Sequence, residues 1–155
     1  KANPPTTGFI IVRDEKSSGT SGGTFTTSAW RTRDLNVTSF NNITGASLSA
    51  NRITLPAGTY VAKAIAPAYK VGRHKIALFN ITDTATISIG TSQYTDTGND
   101  VTTSSSIEVI FVLASEKVLE LQHKCQTTQA TNGFGVSTSF SDVEVYSNIT
   151  FEKIG

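Results

Sequence analysis

Apolar and polar positions along this chain alternate with the period of strands. From Gly58 to Ala66, Tyr60, Ala62, Ala64 and Ala66 interleave with Thr59, Val61, Lys63 and Ile65. From His74 to Ile81, His74, Ile76, Leu78 and Asn80 oppose Lys75, Ala77, Phe79 and Ile81; from Lys117 to Cys125, Leu119, Leu121, His123 and Cys125 oppose Val118, Glu120, Gln122 and Lys124. Successive side chains of a strand point to opposite faces, so each segment predicts a strand with one buried face. Ser104 to Ala114 departs from this, because Ile107, Val109, Phe111 and Leu113 lie on one face while Ile110 and Val112 lie on the other. Phe9-Ile10-Ile11-Val12 is likewise apolar on both faces. Such strands are expected to be covered twice. No stretch of ten or more residues has helical spacing, so the expected second cover is another copy of the chain. Ala29 to Asn36, Arg52 to Leu55, Val143 to Ile154 and a weaker segment at Ala85 to Gly90 complete an expected all-β sandwich of about eight to ten strands.

The connections alternate in length. Pro67 to Arg73, Thr91 to Thr103 and Gln126 to Asp142 read as long loops; Pro56-Ala57-Gly58, Thr82 to Thr84 and Ser115-Glu116 read as tight turns. In an antiparallel arrangement successive connections fall at opposite ends, so the long loops are expected at one pole and the C-terminus at the other. Ser17 to Ser28, rich in Gly and Ser, reads as a flexible loop, and Val37 to Asn51 as polar and irregular. Residues 1–8, with Pro4-Pro5, read as an extended joint to a preceding stalk, and residues 9–155 as one head domain. The chain begins with Lys1, which reads as a piece of a longer protein.

Composition narrows the function. Of 155 residues 16% are charged, and the net charge is +1, so nothing argues for nucleic acid. No apolar run has the length of a membrane span, so no bilayer insertion is expected of this domain. Cys125 is the single cysteine; beside Leu119 and Leu121 in register it reads as a small buried hydrophobe rather than a thiol activated by His123. His74 reads as a hydrogen-bonded edge residue rather than a metal ligand. Arg31 and Arg33 suggest an acidic or sugar ligand, or an ion pair with Asp34 or Asp14, and the ion pair is the preferred reading. Asp96 and Asp100 lack the alternating ligands of a calcium loop, and Asn132-Gly133-Phe134-Gly135 reads as a glycine turn around an anchoring phenylalanine. Four Asn-x-Thr sequons, at Asn36, Asn42, Asn80 and Asn148, are read as incidental. No arrangement of nucleophile and base, metal cluster or cofactor loop is present, so no enzyme, metal or cofactor is expected.

Several segments also carry a resemblance. Val12-Arg13-Asp14-Glu15-Lys16, Gly22-Gly23-Thr24, Ala29-Trp30-Arg31-Thr32-Arg33-Asp34-Leu35-Asn36, Thr54-Leu55-Pro56-Ala57-Gly58-Thr59-Tyr60, Ala66-Pro67-Ala68-Tyr69, Gly72-Arg73-His74, Leu121-Gln122-His123 and Asn132-Gly133-Phe134-Gly135-Val136 resemble bacteriophage virion domains found at the ends of tail fibres, spikes or needles. These in turn resemble the trimeric jelly-roll heads of the tumour necrosis factor and complement globular-head superfamily. The resemblance implies a homotrimer on a fibre or coiled-coil stalk at the virion tail tip, with loops at the free end meeting a host-surface glycan or protein.

The expected function is therefore non-enzymatic host attachment. Expected receptor contacts are Tyr69, Lys70, Arg73, Tyr94 and Phe134; the expected trimer surface comprises Phe9, Ile11, Trp30, Arg31, Arg33, Ile107, Val109 and Phe111. The alternatives are a structural cap or penetrating tip without a receptor of its own, and a secreted ligand of tumour necrosis factor or complement type.

Overall fold

The computed structural model describes residues 7–155, and among them there is no helix. Most of the expected joint, residues 1–6, lies outside the described residues, and Gly8 is already the first residue of a strand. Twelve strands follow in order: β1 (Gly8–Lys16), β2 (Arg31–Thr32), β3 (Val37–Asn41), β4 (Ser47–Ser49), β5 (Arg52–Leu55), β6 (Gly58–Tyr69), β7 (Gly72–Asn80), β8 (Ala85–Ile89), β9 (Gln93–Thr95), β10 (Thr102–Leu113), β11 (Lys117–Cys125) and β12 (Glu144–Lys153). One sheet has the order β10-β6-β12-β1-β3. The other runs β4-β5-β11-β7-β8, with β2 also on β11 and β9 also on β7. From β5 onward the chain steps repeatedly between the two sheets, which makes a roll rather than two stacked meanders.

The alternating segments fold as their period dictates. Tyr60, Ala62, Ala64 and Ala66 face Ile76, Leu78, Leu119 and Leu121 in one core, joined by Ile10, Val12, Ile53, Leu55, Ile149 and Phe151. The three alanines leave room for the aromatic side chains stacked nearby. Phe111 lies 5.7 Å from the Tyr60 ring and 6.4 Å from that of Phe151, and the Tyr60 hydroxyl donates to the Pro56 carbonyl at 2.7 Å. Tyr60 and Phe151 are fully buried, and burial of such a ring stabilises the fold by about 1.5–3 kcal/mol.

Three segments differ from expectation. Pro67 to Arg73 is mostly strand: β6 continues to Tyr69, β7 begins at Gly72, and only Lys70-Val71 turns between them. Pro67 is tolerated because β12 pairs with β6 only from Tyr60 to Ile65, so on that side no ladder partner is missing its N–H. The segment Val37 to Asn51 contains two strands, not irregular chain. β3 is an edge strand exposed along most of its length, so no hydrophobic period marks it; pairing from Ile10↔Asn41 to Arg13↔Val37 holds it. Ala29 to Asn36 contributes only two residues of strand, Arg31–Thr32.

The poles separate as the connections require. Gly8 pairs with Lys153, so both described ends of the chain meet at one pole, with the turns 56–57, 81–84 and 114–116. The segments 17–30, 90–101 and 126–143 gather at the opposite, distal pole.

Candidate functional site

The distal pole is built on a second, smaller core. Phe25, in the middle of the Gly-rich segment, is fully buried with Ala68, Val71 and Cys125, and Phe134 packs against them. The two phenylalanine rings stack at 4.4 Å, and Phe25 exchanges backbone hydrogen bonds with Gln129. The Gly-rich loop is therefore sewn to the 126–143 segment rather than free. Gly133 is required here: a Cβ would lie 2.6 Å from both Phe25 Cβ and the Gln129 carbonyl oxygen.

Beneath this core runs a line of buried polar groups. Arg33, only 1% exposed, donates from Nη1 to the Pro67 carbonyl and from Nη2 to the Phe134 carbonyl, both at 3.0 Å, and its guanidinium lies 4.2 Å from the Phe134 ring centre. Burial pulls its pKa down while Asp14 and Asp34 pull it back up, so it stays charged at neutral pH. The Nη1 group also reaches His123 Nδ1 at 3.4 Å; His123 Nε2 lies 2.9 Å from His74 Nδ1, and His74 Nε2 lies 2.8 Å from Thr103 Oγ1. The Thr103 hydroxyl donates onward to the Tyr94 carbonyl. Arginine donates only, and the threonine proton is already spent, so the tautomers follow: Arg33 to His123 Nδ1, His123 Nε2–H to His74 Nδ1, His74 Nε2–H to Thr103. Burial, reinforced by the Arg33 charge, pushes the His74 pKa down to about 4 and that of His123 well below the ordinary imidazole value. Both rings are neutral at pH 7, and this line ties the interior to the backbone of β9.

Outside β9, an open cavity of about 860 Å³ lies over the distal ends of β7 and β11. Its lining includes Arg73, Lys75, Lys124, Gln93, Tyr94 and Gln126. The alternation that buries His74 and Cys125 turns Arg73, Lys75 and Lys124 outward.

The outer face of the five-stranded sheet is the other notable surface. Ile110, 67% exposed, is paired with Val61, and Val112, 71% exposed, with Thr59. Ile65, Phe9 and Phe40 are also exposed, and Ile11, opposite Phe40, is half-buried. Among the described residues nothing covers them.

No protein-family model matches the chain, and no curated protein matches it in sequence. Solved structures do. Murine APRIL, in its crystal structure at pH 8.0, superposes with a TM-score of 0.61 at 8% identity, over 96% of this chain and 99% of that one. The globular domain of the zebrafish complement 1qA protein gives 0.55 at 13% identity, over 99% and 98%. Eiger TNF from S. frugiperda gives 0.55 at 11% identity, over 99% and 94%. The fold is the tumour necrosis factor and complement globular-head jelly roll. At these identities the likeness fixes the architecture alone.

On this jelly roll the expected site residues fall into three groups. Arg73 and Tyr94 are exposed and directly cross-strand from one another, and Lys70 sits at the β6–β7 turn in an ion pair with Asp100 at 2.8 Å. Tyr69 is buried at the end of β6 with its hydroxyl donating to Asp100, and Phe134 is loop core; neither is presented at the tip. Of the expected trimer surface, Phe9 and Ile11 do lie on the outer face of the five-stranded sheet. Ile107, Val109 and Phe111 point the other way, into the core, and Ile110 and Val112 lie on the outer face instead. Arg33 is interior, and the ion pair expected of it goes instead to Lys16, which bonds Asp14 at 2.9 Å and Asp34 at 3.0 Å. Trp30 is half-buried; Arg31, bonded to the Thr26 and Thr27 carbonyls, belongs to the seven-stranded sheet.

Cys125 is buried, its thiol donates to the Thr127 carbonyl, and burial pushes its pKa up to about 11. Asp96 accepts from the Gly98 and Asn99 N–H groups as a turn residue. Among the sequons, the Asn36 amide nitrogen is held by Asp14 and the Glu15 carbonyl, and that of Asn80 by Asp83.

Proposed function

We propose that this chain is the non-enzymatic, homotrimeric head at the end of a phage tail fibre, spike or needle, and that its distal pole attaches the virion to a host surface. The observation that carries the reading is the polarity of the roll. Gly8 and Lys153 pair at one pole, where a stalk would enter, while the three long segments 17–30, 90–101 and 126–143 share the other. Trimerisation is assigned to the outer face of the five-stranded sheet, where Ile110, Val112, Ile65 and Phe9 expose apolar side chains of the kind that self-association removes from water. Both assignments agree with the resemblance of the sequence to virion tip domains.

Sedimentation at micromolar concentration tests the assembly: three times the chain mass is expected, and an Ile110→Asp, Val112→Asp double variant is expected to sediment as a monomer. Adsorption tests the function. Virions carrying Arg73→Ala and Tyr94→Ala are expected to assemble but to adsorb poorly. Normal adsorption by those virions, with assembly lost on deletion of the head, would instead favour a structural cap. A secreted ligand of the tumour necrosis factor type is a second reading, favoured by the fold shared with Eiger TNF and APRIL. It predicts occupied sequons, at Asn42 or Asn148, because the Asn36 and Asn80 amide nitrogens already donate within the fold.

A further inference from the structure

From the cavity over β7 and β11 we infer that the head binds an anionic polysaccharide, through Arg73, Lys75 and Lys124 on the acidic groups and Tyr94 against a sugar ring. The inference rests on reading the distal pole as the attachment surface and names the ligand class for it. Its first support is charge. Arg13, Lys16, Arg52, Lys63, Lys70 and Lys117 each have a carboxylate within salt-bridge distance. Arg73, Lys75 and Lys124 have none among the described residues, and all three line the same cavity, to which no carboxylate contributes.

Their arrangement is costly without a ligand. Lys75 and Lys124 are directly opposite each other in the β7–β11 ladder, and like charges facing across a sheet repel. An anion between them turns that repulsion into two charge-assisted contacts, and Arg73, two residues before Lys75 on the same face, adds a planar fork suited to a carboxylate or sulfate.

The second support is the neighbourhood of the charges. Tyr94 is cross-strand from Arg73 and 56% exposed, so an aromatic face stands beside the cations. The Gln126 side-chain oxygen accepts from the Arg73 backbone N–H, and the Gln93 side-chain nitrogen donates to the Thr91 hydroxyl. That leaves the Gln126 amide to donate and the Gln93 oxygen to accept, which suits the hydroxyls of a sugar. A volume of about 860 Å³ accommodates a short stretch of chain, not an extended duplex. A nucleic acid would call for a basic stripe, and the net charge of +1 offers no such field. Because the cavity lies on the seven-stranded sheet, it stays open when the outer face of the other sheet is covered. A trimer would present three copies, and a repeating polymer gains avidity from that.

Binding of the intact trimer to immobilised polygalacturonate, dextran sulfate, inorganic polyphosphate and neutral dextran tests this. Retention on the three anionic polymers, weakening with salt, and none on neutral dextran are expected. The two charged polysaccharides separate a carboxylate from a sulfate preference. The Lys75→Gln, Lys124→Gln double variant is expected to lose on the order of tenfold or more in affinity, and Lys117→Gln, at the opposite pole, none. Tyr94→Ala is expected to weaken polygalacturonate binding and leave polyphosphate unchanged. Equal retention on neutral dextran, indifference to the double lysine change, or a Tyr94→Ala variant that behaves like the parent on every polymer would overturn the inference. If these fail while Arg73→Ala, Tyr94→Ala virions still adsorb poorly, the ligand class is wrong and the attachment role stands. Normal adsorption by those virions removes the role itself.

Discussion

His74 Nδ1 and His123 Nε2 meet at 2.9 Å, from positions 49 residues apart, and one proton serves both nitrogens. A second proton on either ring would set N–H against N–H, or against the Arg33 guanidinium at the far side of His123. The groups facing the pair are Arg33 from the segment after β2, Thr103 from β10, and Asp14 and Asp34 acting through Arg33.

Acid sensitivity follows with a definite sign. Both folded-state imidazole pKa values lie below the unfolded value, so the unfolded chain binds more protons and stability rises with pH. The contribution is complete above pH 6.5 and is lost as pH falls toward about 4, where His74 titrates in the folded protein. The expected loss from His74 alone is about 2 kcal/mol between pH 6.5 and 4.5. Urea midpoints across that range check it, and a flat profile would contradict the arrangement.

Glu144 governs a lower window. Its carboxylate accepts from the N–H groups of Gly19, Thr138 and Ser139, which hold its pKa down to about 2. The stabilisation is present above the ordinary glutamate value of 4.5 and disappears as pH falls through about 2. A Glu144→Gln variant is expected to lose that dependence and to exchange the amide hydrogens of Gly19 and Ser139 faster at neutral pH. Unchanged exchange would mean that the distal loops are held otherwise.

Arg33→Met is expected to destabilise the protein by about 2–4 kcal/mol, because the Pro67 and Phe134 carbonyls lose the donors that the buried guanidinium gives them. Arg33→Lys should rescue little, since an ammonium lacks the fork that reaches both carbonyls and stacks on Phe134. Thermal melts of the two variants distinguish this from a simple need for positive charge, under which the lysine would restore stability.

Gly135→Ala is expected to cost about 2 kcal/mol or more, since φ is +146° and an added Cβ would enter the Tyr146 ring. The Tyr146 hydroxyl donates to the Thr20 carbonyl at 2.6 Å, so displacement of the ring should also loosen the Gly-rich segment. Limited proteolysis is expected to cut the variant between residues 17 and 30 sooner than the parent.

Much of the fold was legible in the chain because period two is a local property. Arg52–Leu55 and Lys117–Cys125 fall where their alternation places them, and the two faces of β6 divide as their spacing requires. The proline at 67 hid a strand, because a missing N–H is harmless only where no neighbour needs it, and neighbours are not written locally. The edge strand β3 carried no period because both its faces are largely wet.

What the sequence determined by itself is the class of fold, the alternation of its faces, and the long connections before β10 and after β11, all of which need only near neighbours along the chain; the connection at Pro67 to Arg73 it misread. Tertiary structure decided which apolar face of β10 turns inward, since Ile107 and Ile110 are equally apolar and only packing between sheets ranks them. It also brought together Arg33, His123 and His74, and gathered three cations without carboxylates into one cavity. Those groups belong to segments far apart in the chain, and their energies depend on burial and distance, which exist only once the sheets have closed on each other.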